Sequence, residues 1–315
     1  MSDMPGAMRA ARVHRFGGPE VIAIESVALP LLEPDEVLVR VAAAGVGPWD
    51  GWIRAGKSAL PQPLPLTLGS DFAGTIVATG PTVHAFAVGD RVFGVTNKRF
   101  IGAYADHAVA QGGMIANAPT TLDEVAAASV PVIAVTAQQA LFDHAKLVRG
   151  QRVLIHGAAG NVGRYAVQLA RQAGLHVIAT ASAHDLGAVR GLGADRVIDY
   201  EADRFEASVD GVDAVIDLVG GDVQTRSMVV LRPGGALISA VSAPDQDAAD
   251  RHGVHAAFFL VDVTTSALVA IAAAIDRGDL VARLGTILPL EDVRIAHEML
   301  DGLRPSLPGK IVLTL

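Results

Sequence analysis

The chain of 315 residues has no cysteine, only 4% aromatic residues, and just two tryptophans and three tyrosines. Without a thiol there is no disulfide, no thiolate nucleophile, no Cys-ligated zinc and no iron–sulfur cluster. Basic residues are also in deficit: 25 Lys and Arg stand against 33 Asp and Glu, for a formal charge of −8. No basic block exceeds Lys98-Arg99. With nothing to neutralise a phosphate backbone, a nucleic-acid partner is not expected. Long apolar runs are missing too. The strongest near the C-terminus, Ala267–Ile275, falls well short of the ~20 residues that span a bilayer, and the Ala-rich stretch Val125–Ala137 is broken by Ser129, Pro131 and Thr136. Met1–Ala7 carries an acid and a proline where a signal peptide needs a basic and then an apolar region. The expectation is a soluble, cytoplasmic protein with no membrane partner.

What is present is a long, 51% apolar chain with 33 glycines, enough for two domains. To about residue 120 it reads as β-rich, with runs such as Val37–Ala42, Thr75–Thr79 and Arg91–Val95 punctuated by Gly and Pro. Leu122–Ala128 and Val135–Lys146 are helical in composition. Then β-branched runs alternate with helical segments: Arg152–His156, His176–Thr180, Arg196–Asp199, Ala214–Asp217 and Ala236–Ser239. Their near-continuous hydrophobicity fits strands covered on both faces, a doubly wound parallel sheet. Ala256–Val261 reads as a sixth strand, Thr265–Asp276 as an apolar helix stopped by Gly278, and Glu291–Asp301 as an amphipathic helix. Lys310–Leu315 returns to the β-rich texture. An α/β fold is expected, with residues 1–121 and 281–315 in one domain and 122–280 in the other.

Directly after the first parallel strand stands Gly157-Ala158-Ala159-Gly160-Asn161-Val162-Gly163, followed by a helical run over Arg164–Ala173. Glycine there permits a tight turn and close backbone approach, while the N–H groups and positive helix end hold a pyrophosphate. The spacing is G-x-x-G-x-x-G, and its place between strand and helix is what gives it weight. The second strand ends at Thr180-Ala181-Ser182, with no carboxylate for a ribose 2′-hydroxyl. That absence, with Ser182 and His184 nearby, favours NADP(H). Ser182-x-x-Asp185 reads as a capping box opening the next helix, so Asp185 is a cap rather than a ribose ligand.

Nine segments occur in order along the chain: Arg15–Val21, Ala44–Asp50, Leu68–Gly74, Val88–Gly94, Gly102–His107, Thr136–Leu141, the Gly157–Gly163 loop, Leu192–Tyr200 and Gly309–Leu313. Together they resemble the medium-chain dehydrogenase/reductase superfamily, in its zinc-independent quinone oxidoreductase branch. The resemblance implies a GroES-like β-rich catalytic domain built from both chain ends and a Rossmann domain between them. It also implies cofactor contacts at Thr136, Ser182, Tyr200, Gly220, Phe258, Phe259, Leu260 and Lys310, besides the loop itself. Zinc-dependent relatives carry a cysteine in the Gly45–Gly47 segment and a His-Glu pair in Gly69–Asp71; both signatures are missing here. His252-x-x-His255 has suggestive spacing but no third ligand nearby. The zinc-free branch usually has Asn where this chain has Gly47, so catalysis or substrate choice departs from the norm there.

Hydride transfer from NADPH to a quinone or enone then fits best, because a conjugated carbonyl delocalises the arriving charge without a Lewis acid. The alternatives are an NADPH-binding sensor or structural protein of the same fold with little turnover, and an alcohol dehydrogenase. Trp49 and Trp52 bracket Asp50. As candidate substrate residues they either stack on a flat acceptor or pack a core, and Asp50 is a cleft group or, preferentially, a turn or cap acceptor. Leu60–Leu68 is a candidate mobile apolar wall. No proton donor is assigned among Tyr104, Tyr165 and Tyr200. By the same resemblance a homodimer is expected, with Ala236–Val241 and Ala257–Val261 as the paired edge.

Overall fold

The computed structural model describes residues 6–315. It opens with β1 (Ala7–Val13), β2 (Ala23–Ala28) and β3 (Glu36–Val46), followed by α1 (Pro48–Arg54), β4 (Leu66–Thr67), β5 (Asp71–Thr79) and β6 (Arg91–Val95). Next come β7 (His107–Gln111), β8 (Ile115–Asn117), α2 (Glu124–Ala128) and α3 (Pro131–Gln138). The β/α alternation runs β9 (Arg152–Ile155), α4 (Asn161–Gln172), β10 (His176–Ala181), α5 (Leu186–Gly191), β11 (Arg196–Asp199) and β12 (Val212–Asp217). It continues with α6 (Asp222–Met228), β13 (Leu231–Ser239), α7 (Gln246–His252) and β14 (His255–Phe258). The chain closes with α8 (Thr265–Asp276), β15 (Leu284–Pro289), α9 (Val293–Leu300) and β16 (Lys310–Thr314).

These elements form two compact units. The first runs to Val132 and takes up Val263–Gly278 and Ala282–Leu315; the second holds Ile133–Asp262 and Asp279–Val281. The division thus falls at Val132 rather than at 121, and α8 groups with the first unit. Local bonds explain this. Thr265 donates its hydroxyl to Ile115 O at 2.7 Å, and Asp276 accepts from the Thr121 N–H and hydroxyl, each at 3.0 Å.

In the first unit β16 lies antiparallel to β3, Ile311 opposite Val46, so the last strand of the chain completes a sheet of order β15-β16-β3-β5-β6-β8, with β7 also on β3. A smaller sheet has the order β2-β1-β4. The inward residues of these strands, among them Val39, Phe72, Ile76, Val92 and Ile311, meet Leu290, Val293 and Ala296 in one core. The stretch Leu60–Leu68 is split. Leu60 and Leu64 are exposed, but Leu66 pairs with Val13 and is buried, as is Leu68, so half of the expected apolar wall is sheet and core.

In the second unit six parallel strands take the order β11-β10-β9-β12-β13-β14. The order reverses between β9 and β12, which is where a doubly wound sheet opens a crevice at the carboxyl ends of its strands. Leu154, Val215 and Leu237 are fully buried in its core, each contributing about 1.5–3 kcal/mol by removal from water. α4 turns Tyr165, Ala166, Leu169 and Ala170 inward at helical spacing.

Four details depart from expectation. α4 begins at Asn161, inside the glycine loop, rather than at Arg164. α3 runs on into a π-helical turn, Gln139–His144, a widening that no periodicity signals. The sixth strand is His255–Phe258 and ends before Phe259, whose ring turns in against His144 with centroids 4.2 Å apart. β13 lies between β12 and β14, so of the two segments expected at a dimer edge only β14 is at the edge. No helix among the described residues is long and apolar enough to cross a membrane.

Candidate functional site

The turn after β9 is built for a close-lying anion. Gly157 has φ +69°, a left-handed conformation that favours glycine. A Cβ on Gly163 would fall 2.2 Å from Gly157 O and 2.7 Å from Ala158 Cα, so only glycine lets the helix start pack on the turn. Gly160 caps α4 without any side-chain acceptor, which leaves the first-turn N–H groups of Asn161, Val162 and Gly163 to an outside anion. Ala158 is buried, and Ala159 is half-buried beside it. These residues fit the pyrophosphate of a dinucleotide.

The other cofactor candidates of this unit lie on several elements. Thr136 is buried on α3. Ser182 follows β10, His184 is exposed in the turn Ala183–Asp185, and Tyr200, 59% exposed, follows β11 with its N–H on Ala181 O at 3.2 Å. The expected capping box takes another form. The Ser182 hydroxyl donates directly to Asp185 Oδ2 at 3.1 Å, and neither side chain caps a backbone N–H. Gly220 sits in the loop after β12, where a Cβ would meet Val241 Cγ1 at 3.2 Å. Phe258 and Leu260 are exposed, whereas Phe259 is buried.

Beneath the glycine loop sequence reasoning missed a buried polar layer. His156 lies 3.0 Å from both Thr180 Oγ1 and Ser227 Oγ. Ser227 spends its own proton on Val223 O at 2.6 Å, so it accepts from His156 Nε2–H, and Nδ1 accepts from Thr180. Burial lowers the imidazole pKa to about 4, so His156 is neutral. Asp217, also buried, accepts from the N–H groups of Val219 and Gly220 at 2.9 and 2.8 Å. The signal for both was available, a polar residue ending an apolar strand.

The first unit holds a second cluster. Lys310 and Asp71 are 1% and 0% exposed, and their ion pair spans 2.9 Å. Asp71 also accepts from Val132 N–H at 3.1 Å. Burial raises the Asp71 pKa and the Lys310 charge opposes that shift. The Lys310 ammonium stands 4.1 Å from the Trp49 ring centroid, and the Trp49 indole N–H donates to Ser70 Oγ at 2.9 Å. Trp49 is half-buried. Lys310, a cofactor candidate by the resemblance, is thus paired with Asp71 and packed against Trp49.

Asp50 is fully buried at the start of α1. Its Oδ2 accepts from Gly47 N–H at 2.8 Å and from the Tyr104 hydroxyl at 3.0 Å, while Oδ1 has no partner. Burial lifts its pKa to about 7, against the Gly47 bond and the Lys310 charge; burial, with Asp50 beside it, pushes Tyr104 well above the ordinary phenol value. The preferred reading of Asp50 as a cap acceptor is what the structure shows. Trp52, 49% exposed, points elsewhere and lines an open cleft of about 470 Å³ with Gly17, Pro48, Lys57 and Asp301.

The positions at which zinc-dependent relatives hold their metal do not fit zinc. Gly47 has no donor atom, Ser70 accepts the Trp49 N–H, and Asp71 is taken up by Lys310. Among the described residues no three His, Cys, Asp or Glu side chains converge as a metal site would require.

Known proteins agree with this architecture. Residues 33–120 match the alcohol dehydrogenase GroES-like domain and residues 192–313 the zinc-binding dehydrogenase family. A quinone oxidoreductase of Lama guanicoe is 35% identical over 98% of both chains. The structure of a quinone oxidoreductase from Coxiella burnetii superposes with a TM-score of 0.90 at 31% identity, covering 98% of this chain and 99% of that one. A mycobacterial protein solved with NADPH gives 0.82 at 31% identity, covering 98% and 100%. With a GroES-like unit built from both ends of the chain, a doubly wound unit carrying a glycine loop after its first strand, and full-length relatives, the protein is a nicotinamide-dependent oxidoreductase of the medium-chain dehydrogenase/reductase superfamily, in its quinone oxidoreductase branch.

Proposed function

We propose that the chain is a zinc-independent, NADPH-dependent reductase of quinones and α,β-unsaturated carbonyls. The observation that carries this is the full-length likeness to quinone oxidoreductases joined to a glycine loop shaped for a pyrophosphate. A bound nicotinamide supplies hydride chemistry. The chain supplies the rest: the loop and the α4 N-terminus bind the pyrophosphate, and the polar layer of His156 and Asp217 keeps the strand ends rigid. Trp49, held by Ser70 and Lys310, offers an aromatic surface to a flat acceptor. The developing enolate or hydroquinone oxygen takes its proton from water, because Tyr104 is buried and spends its hydroxyl on Asp50.

Preference for NADPH is supported by Ser182 and His184 after β10 and by the NADPH-bound neighbour. The Asp185 carboxylate on the Ser182 hydroxyl repels a 2′-phosphate, so the expected preference is small, on the order of tenfold. A homodimer formed along the free edge of β14 completes the reading; a monomeric mass in light scattering argues against that part.

The test is a fluorescence titration with NADPH and NADH, followed by addition of 9,10-phenanthrenequinone and then a simple enone. NADPH oxidation that waits for the acceptor supports the reductase. Binding without turnover over a broad acceptor panel favours a cofactor-binding sensor, for which Gly47 in place of an amide side chain is the specific support. No binding of either nucleotide defeats the site assignment.

A further inference from the structure

Four neighbouring strands, β10, β9, β12 and β13, carry at their carboxyl ends Thr180, His156, Asp217 and Ser239, none more than 3% exposed. Polar groups buried this deeply persist where their hydrogen bonds are met. Here those bonds run upward into loops. Asp217 Oδ1 takes the N–H groups of Val219 and Gly220 at 2.9 and 2.8 Å, and Ser239 Oγ takes those of Val241 and Ser242 at 3.1 and 3.3 Å. Below the loops Ser239 donates its own proton to Asp217 Oδ2 at 2.8 Å, and the Gln224 amide donates to the same oxygen at 2.9 Å and reaches Ser242 O at 3.1 Å. One carboxylate therefore ties together the loops that follow two adjacent strands.

Those loops touch each other and the glycine loop. A Cβ on Gly220 would meet Val241 Cγ1 at 3.2 Å and Ser242 Oγ at 3.3 Å; one on Gly157 would meet Val219 Cγ2 at 3.3 Å and Leu218 Cβ at 3.4 Å. The rim from β9 to β13 is thus one packed surface that spans the strand reversal, and its part built on β12 and β13 lies on the far side of that reversal from β10 and β11. In a doubly wound sheet the adenosine half of a dinucleotide lies toward the second strand and the other mononucleotide across the switch point. That places the rim built on Asp217 beneath the nicotinamide half.

We propose that Asp217 is a positioning residue for the nicotinamide half of the bound dinucleotide, setting the Leu218–Gly221 and Ala240–Ser242 loops through four backbone N–H groups with Ser239 as its relay. This rests on the dinucleotide reading of the glycine loop. Asp217→Asn turns an NH₂ group toward donors on one side or the other, because all four partners of the carboxylate are donors.

The test compares affinity for the whole dinucleotide that binds, NADPH or NADH, with affinity for its adenosine half, 2′,5′-ADP or ADP, in wild type, Asp217→Asn and Ser239→Ala. Asp217→Asn is expected to weaken the dinucleotide about tenfold and leave the half-ligand within about twofold, with Ser239→Ala smaller in the same sense. Amide exchange at Val219 and Gly220 speeds up in Asp217→Asn. Equal weakening of both ligands, or unchanged dinucleotide affinity in a folded variant, overturns the positioning role. Should Asp217→Asn not fold, Ser239→Ala decides by the same comparison. Wild type that binds neither ligand instead overturns the dinucleotide reading itself.

Discussion

The Trp49 ring occupies the place where a side chain on Gly47 would begin: a Cβ built there falls 2.4 Å from both Trp49 Cη2 and Cζ2. The indole cannot readily yield, because Ser70 holds its N–H and the Lys310 ammonium stands over its face. Gly47→Asn therefore displaces the ring, at a cost of about 1–3 kcal/mol. In a Trp52→Phe background, where Trp49 is the sole tryptophan, its emission should shift to the red and the melting point should fall. Gly47→Asn/Trp49→Ala should be no less stable than Trp49→Ala alone. Unshifted emission in Gly47→Asn would sink this account.

The Lys310–Asp71 pair is buried on both sides. Removing one partner strands the other charge away from water, and Lys310→Met is expected to cost about 3–5 kcal/mol in urea denaturation. Lys310→Met/Asp71→Leu should cost less than the sum of its two single changes. Strict additivity would mean that the two groups do not stabilise each other.

Asp50 makes stability depend on pH in a defined direction. Its folded pKa is about 7, raised by burial from an ordinary 3.8, so between those values the folded state binds the extra proton. Its contribution is fully present below about pH 4 and is lost as pH rises through about 7. His156 and His297, lowered by burial to about 4 and 3, act oppositely, losing stability as pH falls below their unfolded value. The melting-point difference between Asp50→Asn and wild type should therefore move in favour of the variant from pH 5 to pH 8. A difference that stays constant over that range contradicts the shift.

Within the glycine loop the three glycines are not equivalent. A Cβ on Gly163 meets Gly157 O at 2.2 Å, whereas one on Gly160 meets the same atom at 3.2 Å. Gly163→Ala should abolish detectable nucleotide binding in a fluorescence titration, and Gly160→Ala should weaken it only a few-fold. The opposite order would show that the anion approaches Gly160 rather than the turn itself.

Much of the secondary structure was legible because its signals are local. Strand β11 and helix α8 fall where composition and periodicity place them, at Arg196–Asp199 and Thr265–Asp276, since both depend on residues a few positions apart. The π-helical turn at Gln139–His144 and the inward Phe259 were not legible, because each answers to a packing partner rather than to its own neighbours. The resemblance put Lys310 among the cofactor candidates, but its pairing with Asp71 was not legible along the chain.

By itself the chain's residue order determined that there is no thiol chemistry, that a doubly wound sheet follows a β-rich segment, and that a glycine loop stands between its first strand and helix. Tertiary structure alone decided which polar groups meet. Asp71 and Lys310 lie 239 positions apart, Arg54 and His297 243. Strand and helix patterns repeat over two to four residues and can be read along the chain. A buried carboxylate, by contrast, takes its character from whichever donors the closed core presses against it, and these come from distant parts of the sequence.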